Sequence, residues 1–164
     1  MNGKYCSNRC WRSWTEVDFD NTIWTIPSER AKNKSSHLVH LSKPVLKALN
    51  ALYEFSSSEL VFTTTGSTPV SGFSKSKRKL DHLSGVTNWR LHDLRRSFAT
   101  LTTETLGFEP PVVDRILNHV SGSVQGIAAV YQRGEYLKKR KEVLEGWANY
   151  VEGLGQYGTL QIVS

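Results

Sequence analysis

Between Leu91 and Tyr131 the chain gathers side chains suited to one kind of chemistry. The stretch opens Leu91-His92-Asp93-Leu94-Arg95-Arg96, passes Leu117-Asn118-His119 and reaches Val130-Tyr131-Gln132-Arg133. Two imidazoles, a permanently charged guanidinium and a phenol are the groups needed to hold a phosphodiester and attack it. His92 and Arg95 are three residues apart. On a helix both would leave the same face about one turn from each other, and together they can grip one phosphate. Each residue alone has a plainer reading: a helix-start histidine, a solvated arginine pair, a helix-end histidine favoured by the macrodipole, a partly buried tyrosine. It is the combination that is specific.

A frame must position these groups. At 164 residues the chain is the size of one domain and can bury roughly 70% of its unfolded surface. Trp14 to Asp18 alternates, Asp20-Asn21 is a turn pair, and Thr22 to Ile26 is β-branched and aromatic before Pro27, which predicts a hairpin. A polar loop from Ser28 to Ser36 leads to a third alternating strand, His37 to Leu41, with Lys32 at the tip of the second hairpin. Ser42 as N-cap and Pro44 in the first turn predict a helix with Val45, Leu46, Leu49, Leu52 and Tyr53 on one face.

Leu60 to Phe62 reads as a short extended piece. A basic helix is expected from Ser71 to Leu83, with Phe73, Leu80 and Leu83 buried, Lys75, Lys77, Arg78 and Lys79 outward, and Gly85 closing it. Leu91 to Leu106 has helical periodicity weakened by Thr100, Thr102, Thr103 and Thr105, and Glu109-Pro110-Pro111 starts a helix ending at His119. Gly122 and Gly126 break the pattern before Tyr131, and the last helix is expected from Glu135 to Val151, with Leu137, Leu144, Trp147 and Val151 inward and the Lys138 to Lys141 run mostly outward. The expected fold class is mainly α with a small three-stranded antiparallel β-sheet (α+β).

The formal charge of +6 favours a polyanionic partner, since each cation placed on a phosphate releases counterions. Cys6 and Cys10 stand without a second Cys or His pair at zinc-finger spacing, so neither a metal site nor a disulfide framework is expected, and two free thiols fit a reducing cytoplasm. No apolar run approaches a membrane span and the start lacks a signal-peptide core, so a protein without membrane contact is expected.

The chain resembles the catalytic domain of the tyrosine recombinases, the phage-type integrases, over nearly its whole length. The resemblance is carried by Trp24-Thr25-Ile26-Pro27 with Arg30-Ala31-Lys32-Asn33 and Val39-His40-Leu41-Ser42, by Trp89 to Thr100, by Leu117 to Gly122 and by Val130-Tyr131-Gln132-Arg133. It implies that Tyr131 attacks the scissile phosphate to form a 3′-phosphotyrosyl link and that Arg95 stabilises the charge on phosphorus. It further implies that His92 and His119 hold the phosphate and assist proton movement, and that Lys32 protonates the departing 5′-oxygen. No metal and no cofactor is implied. Tyr136 is a competing nucleophile, disfavoured because it lacks the Val-Tyr-Gln-Arg context and falls inside the expected final helix. Asp93 is read as a local cap or partner. Double-stranded DNA is the implied partner, with Lys34, Arg96, Lys75, Lys77, Arg78 and Lys79 as candidate contacts, although a solvated face is the plainer reading of the last four.

One expected feature is missing. The family carries an earlier arginine in a Gly-x-Arg-x-x-Glu setting, and the corresponding register, Gly3-Lys4-Tyr5-Cys6-Ser7-Asn8, puts Tyr5 in its place and Asn8 in that of the acid. Losing one of two guanidiniums on a transferring phosphoryl group costs on the order of 3 kcal/mol, roughly 100-fold in rate. The expected organisation is an amino-terminally truncated domain. Residues 1–12 would be a helix remnant or disordered start, 13–152 the catalytic domain and 153–164 a tail. A tetramer on DNA and a monomer in free solution are the implied states, in a bacterial or phage context. A noncatalytic DNA-binding or assembly module on the same fold is the alternative.

Overall fold

The computed structural model describes residues 12–31, 33–119 and 127–160, and side chains over all of these except 127–135 and 156–160. Three strands, β1 (Val17–Asp18), β2 (Ile23–Ile26) and β3 (His37–His40), form an antiparallel sheet in the order β1-β2-β3. Val17 lies opposite Trp24, Ile23 opposite His40 and Ile26 opposite His37. Five helices follow: α1 (Lys43–Glu54), α2 (Phe73–Ser84), α3 (Leu91–Thr100), α4 (Pro110–Ile116) and α5 (Ile127–Leu160). The expected class, helices with a small three-stranded antiparallel sheet, is the observed one.

Several elements differ from expectation. Trp14–Glu16 is a turn of 3-10 helix rather than strand. There the Trp14 amide bonds the Glu59 carbonyl, and its indole packs at 5.0 Å from the Tyr53 ring and 6.2 Å from Phe19. Ser42 occupies the N-cap position of α1, yet its hydroxyl makes no capping bond. The expected helix from Leu91 to Leu106 is α-helical only to Thr100 and continues as a π-turn over Leu101–Thr105. The threonines supply the reason. Thr102 Oγ1 donates to the Phe98 carbonyl at 2.6 Å and Thr103 Oγ1 to that of Ala99 at 2.8 Å, competing with the backbone ladder, and the Leu106 amide reaches back to Leu101 instead. Gly107, at φ 72°, then turns the chain.

Phe73, Leu80 and Leu83 of α2 were expected to be buried and are 49%, 50% and 71% exposed. Polar contacts hold this helix instead: Lys77 Nζ lies 2.7 Å from Asp81 Oδ2 and 4.8 Å from the Trp89 ring, and Trp89 Nε1 donates to Asp81 Oδ1 at 2.8 Å. This cluster ties α2 to the segment entering α3, and Gly85 closes α2 in the left-handed conformation as expected. The last helix is longer than expected at both ends, running from Ile127 through the glycines at 134 and 153 to Leu160. An interior glycine costs only about 1 kcal/mol relative to alanine, which packing against α4 and β3 outweighs. Leu137 and Val151 are exposed, while Arg140, in the run expected to face mostly outward, turns inward to donate to the Leu38 carbonyl.

Two apolar clusters hold the described residues. Leu41, Leu49 and Val61 pack with Trp14, Val17, Phe19, Trp24 and Leu46 under the sheet. Phe98, Val112, Val113 and Val143 join α3, α4 and α5, with Phe108, Leu144 and Trp147 packed against them. Phe98 meets Trp147 edge to face at 5.3 Å. Its removal leaves a cavity where α3 meets α5, so Phe98→Ala is expected to lower stability by about 3 kcal/mol or more in urea unfolding; a loss under about 1 kcal/mol would contradict this packing.

Candidate functional site

The site is built around the end of α4. A helix leaves its last carbonyls without intrahelical partners, and here each finds one. The Asn118 amide bonds the Arg115 carbonyl at 3.1 Å and the His119 amide bonds that of Asp114 at 2.9 Å, with Asn118 at φ 54°. This is a Schellman turn with asparagine in the left-handed position that usually takes glycine. The next two carbonyls are taken by side chains from elsewhere in the chain. His37 Nε2, on β3, donates to the Ile116 carbonyl at 3.1 Å. The half-buried Arg95 guanidinium, on α3, donates to the Leu117 carbonyl.

The loop between β2 and β3 reaches the same turn, since Asn33 Nδ2 donates to Asn118 Oδ1 at 2.9 Å. At its other end Arg30 pairs with Glu16, which also accepts from Trp24 Nε1 at 3.0 Å. The residues on either side of Lys32 are therefore anchored; Lys32 itself lies outside the described residues. His119 is exposed, and its Nδ1 donates to Asp114 Oδ1 at 3.0 Å, leaving Nε2 as the nitrogen that can meet a substrate.

His92 is exposed in the first turn of α3, on the face that carries Arg95. Asp93 caps this helix, accepting from the Arg90 amide at 2.8 Å, and pairs with Arg96 at 3.3 Å, so its expected local role is the observed one. Lys34, Lys75, Arg78 and Lys79 are exposed, whereas Lys77 is bound to Asp81. Tyr131 belongs to α5 by its backbone, and its side chain lies outside the described residues, as do Tyr5, Cys6, Asn8, Cys10, Gly122 and Gly126. Both Tyr131 and Tyr136 are thus in one helix, so position in the final helix does not separate them. Tyr136 is partly buried against the Phe98–Val112–Val113–Val143 cluster.

A model of the phage integrase family matches residues 6–133, more than three quarters of the chain and all the elements just described up to the start of α5. The chain belongs to the phage integrase family. The matched span includes Tyr131 and stops short of Tyr136. Similar relatives include the prophage integrase IntA of Escherichia coli, 27% identical over 140 residues, or 85% of this chain and 33% of IntA. The integrase of Shigella phage Sf6 is 27% identical over 142 residues, covering 85% of this chain and 36% of the phage protein. The integrase of Enterobacteria phage P4 is 27% identical over 169 residues, covering 92% and 38%. The chain thus spans about a third of the length of these relatives. No solved structure matches it significantly.

Among the described residues of this integrase-family chain, no His, Cys, Asp and Glu group could hold a metal ion, and no helix is long and apolar enough to cross a membrane. Sequence reasoning gave no role to Asp114, Asn33, Asn118 or His37. A hint was present for Asn118, because an asparagine just past a helix end is a common left-handed cap. Nothing in the spacing announced that residues 33 and 118 would pair.

Two outcomes test this geometry. Because an L-residue with a Cβ and no local hydrogen bond is penalised at φ 54°, Asn118→Ala should be less stable than Asn118→Gly by about 1 kcal/mol in urea unfolding, and equal stabilities would contradict the turn. The second concerns His37. Burial, then the Arg140 guanidinium, holds this ring below the ordinary histidine value; Arg95 adds to the effect and the bond to the Ile116 carbonyl opposes it. In the window below about pH 6.5 the unfolded chain binds the extra proton first, so stability is lost as pH falls. The drop in Tm between about pH 7.5 and about pH 5.5 should shrink in His37→Gln, and an unchanged drop would show that this ring is not responsible.

Proposed function

We propose that this chain cleaves and rejoins double-stranded DNA in site-specific recombination, through a 3′-phosphotyrosyl intermediate and in the bacterial cytoplasm. The Tyr131 phenol, its proton passing to an imidazole of His92 or His119, attacks the phosphorus of the scissile diester as the bond to the 5′-oxygen breaks. Lys32 gives that leaving oxygen its proton, and a 5′-hydroxyl from another strand reverses the step. Arg95, His92 and His119 hold the nonbridging oxygens, where fixed donors stabilise the charge of the pentacoordinate state.

The observation that carries this reading is the convergence on one turn. Arg95 sits on the Leu117 carbonyl two residues before His119, and the loop holding Lys32 is pinned to Asn118, one residue before it. Three catalytic candidates, far apart in sequence, are thereby linked through one rigid feature. Family membership supplies the reaction class, and the matched span favours Tyr131 over Tyr136, which packs in the core. Tyr5 in the expected arginine register predicts a slow enzyme, roughly 100-fold below a two-arginine site. Lys34, Arg96, Lys75, Arg78 and Lys79, and Lys77 where its pair with Asp81 yields, would contact backbone phosphates and fix the protein on the duplex without reading sequence. Four protomers would assemble on DNA, from monomers in free solution.

A nicked suicide duplex tests the reading, because loss of the short fragment that carries the freed 5′-hydroxyl traps the covalent adduct. Wild-type chain and Tyr136→Phe should both form it, and Tyr131→Phe should not. Salt-dependent DNA binding with no adduct under any condition would instead identify a noncatalytic DNA-binding module. An adduct that survives Tyr131→Phe would assign the nucleophile elsewhere.

A further inference from the structure

Three consecutive residues, Ile116, Leu117 and Asn118, are each held by a side chain from another part of the chain, immediately before His119. Arg95 has a place in the proposed reaction. His37 has none, yet it is the most enclosed of the three, 9% exposed at the start of β3. A polar ring at such a position costs stability unless its nitrogen is satisfied, and an apolar residue of similar size would fill the space as well. What an apolar residue would not do is donate to the Ile116 carbonyl.

The groups facing His37 fix its form. From α5 comes Arg140, which donates to the carbonyl of the adjacent Leu38, and from α3 comes Arg95. Burial first, and then these two cations, keep the ring neutral, and its bond to a carbonyl places the single proton on Nε2. His40, the other histidine of β3, is engaged differently, with Nε2 at 3.0 Å from Glu145 Oε1 on α5. The two histidines thus tie β3 to the end of α4 and to α5 respectively.

We infer that His37 is a positioning residue of the DNA-cleaving site: its Nε2–H holds the last turn of α4, and through that turn sets the direction of His119 and of the Leu117 carbonyl that orients Arg95. The inference rests on the strand-cleavage reading above. With the donor removed, the Ile116 carbonyl must recruit water, and the turn shifts to admit it. A displacement of about 1 Å in a phosphate-holding group is enough to cost on the order of 100-fold in rate.

The test compares His37→Leu, which fills the space without a donor, with His37→Gln, whose amide can donate to the same carbonyl. On the nicked suicide duplex His37→Leu should slow adduct formation at saturating DNA by roughly 10- to 100-fold with KM changed less than about 2-fold, and His37→Gln should recover most of the rate. In the DNA-free chain, the Asn118 amide and the His119 ring resonances should move in His37→Leu and stay near their wild-type positions in His37→Gln. Wild-type rate and unmoved resonances in His37→Leu would overturn the inference, as would equal losses in both variants. If the wild-type chain forms no adduct, the cleavage reading fails on its own, and the resonances still decide whether His37 sets the turn. If His37→Leu does not fold, ring nitrogen shifts of the wild type decide: a neutral ring protonated at Nε2 near neutral pH is expected, and protonation at Nδ1 overturns the proposal.

Discussion

The end of α4 is the constraint on which the site depends. Helix geometry leaves the final carbonyls of any helix unpaired, and burial makes that costly. This chain meets the requirement from two directions. Local backbone closes the first part, through the Asn118 and His119 amides, and that closure demands a left-handed residue at 118. Distant side chains close the rest, through His37 and Arg95. The same bonds that complete a short helix therefore decide where two phosphate-binding candidates point. Because β3, α3 and the loop before β3 all meet at this turn, moving any one of them disturbs the others.

Much of this was legible in the sequence, and the physical reason differs by element. The sheet was readable because alternation and the Asp20-Asn21 turn leave few options, and β2 and β3 fall within the stretches expected for them. The termini of α2 and α4 were readable from Gly85 and from Pro110-Pro111. The π-turn at Leu101–Thr105 was not, because threonine hydroxyls can either weaken a helix or bond back to it, and periodicity cannot choose between the two. Exposure of the apolar residues of α2 was not readable either: amphipathic spacing says which residues share a face and leaves open whether anything covers it. Within the site, the types and order of His92, Arg95 and His119 were plain from the sequence. Their supports were not, since His37–Ile116 and Asn33–Asn118 are contacts across 79 and 85 residues.

Spacing leaves the two tyrosines undivided, and packing describes one of them. Residues 131 and 136 are five apart, and α5 contains both, so neither helix boundary nor residue type distinguishes them. Five residues on a helix is about 500° of rotation, or some 140° beyond a full turn, so positions 131 and 136 do not share a face. Tyr136 spends its ring on the core shared by α3, α4 and α5. A phenol packed there would have to leave that core to reach a phosphate, which counts against Tyr136 in the proposed reaction.

Electrostatics completes the reasoning. Where β3, α3, α4 and α5 meet, the carboxylates are assigned to histidines: Asp114 to His119 and Glu145 to His40. Among the described residues no carboxylate pairs with Arg95; its partner is a carbonyl dipole. The distinction matters for an anion-binding group. A carboxylate would orient the guanidinium and also neutralise it, so that a phosphate would have to displace a bound charge. A carbonyl orients it through one donor and leaves the full positive charge and the remaining N–H groups available for a planar, bidentate grip. Arg140 and Arg95 both act on His37, and Arg115 acts on Arg140, so cations gather where β3, α3, α4 and α5 meet.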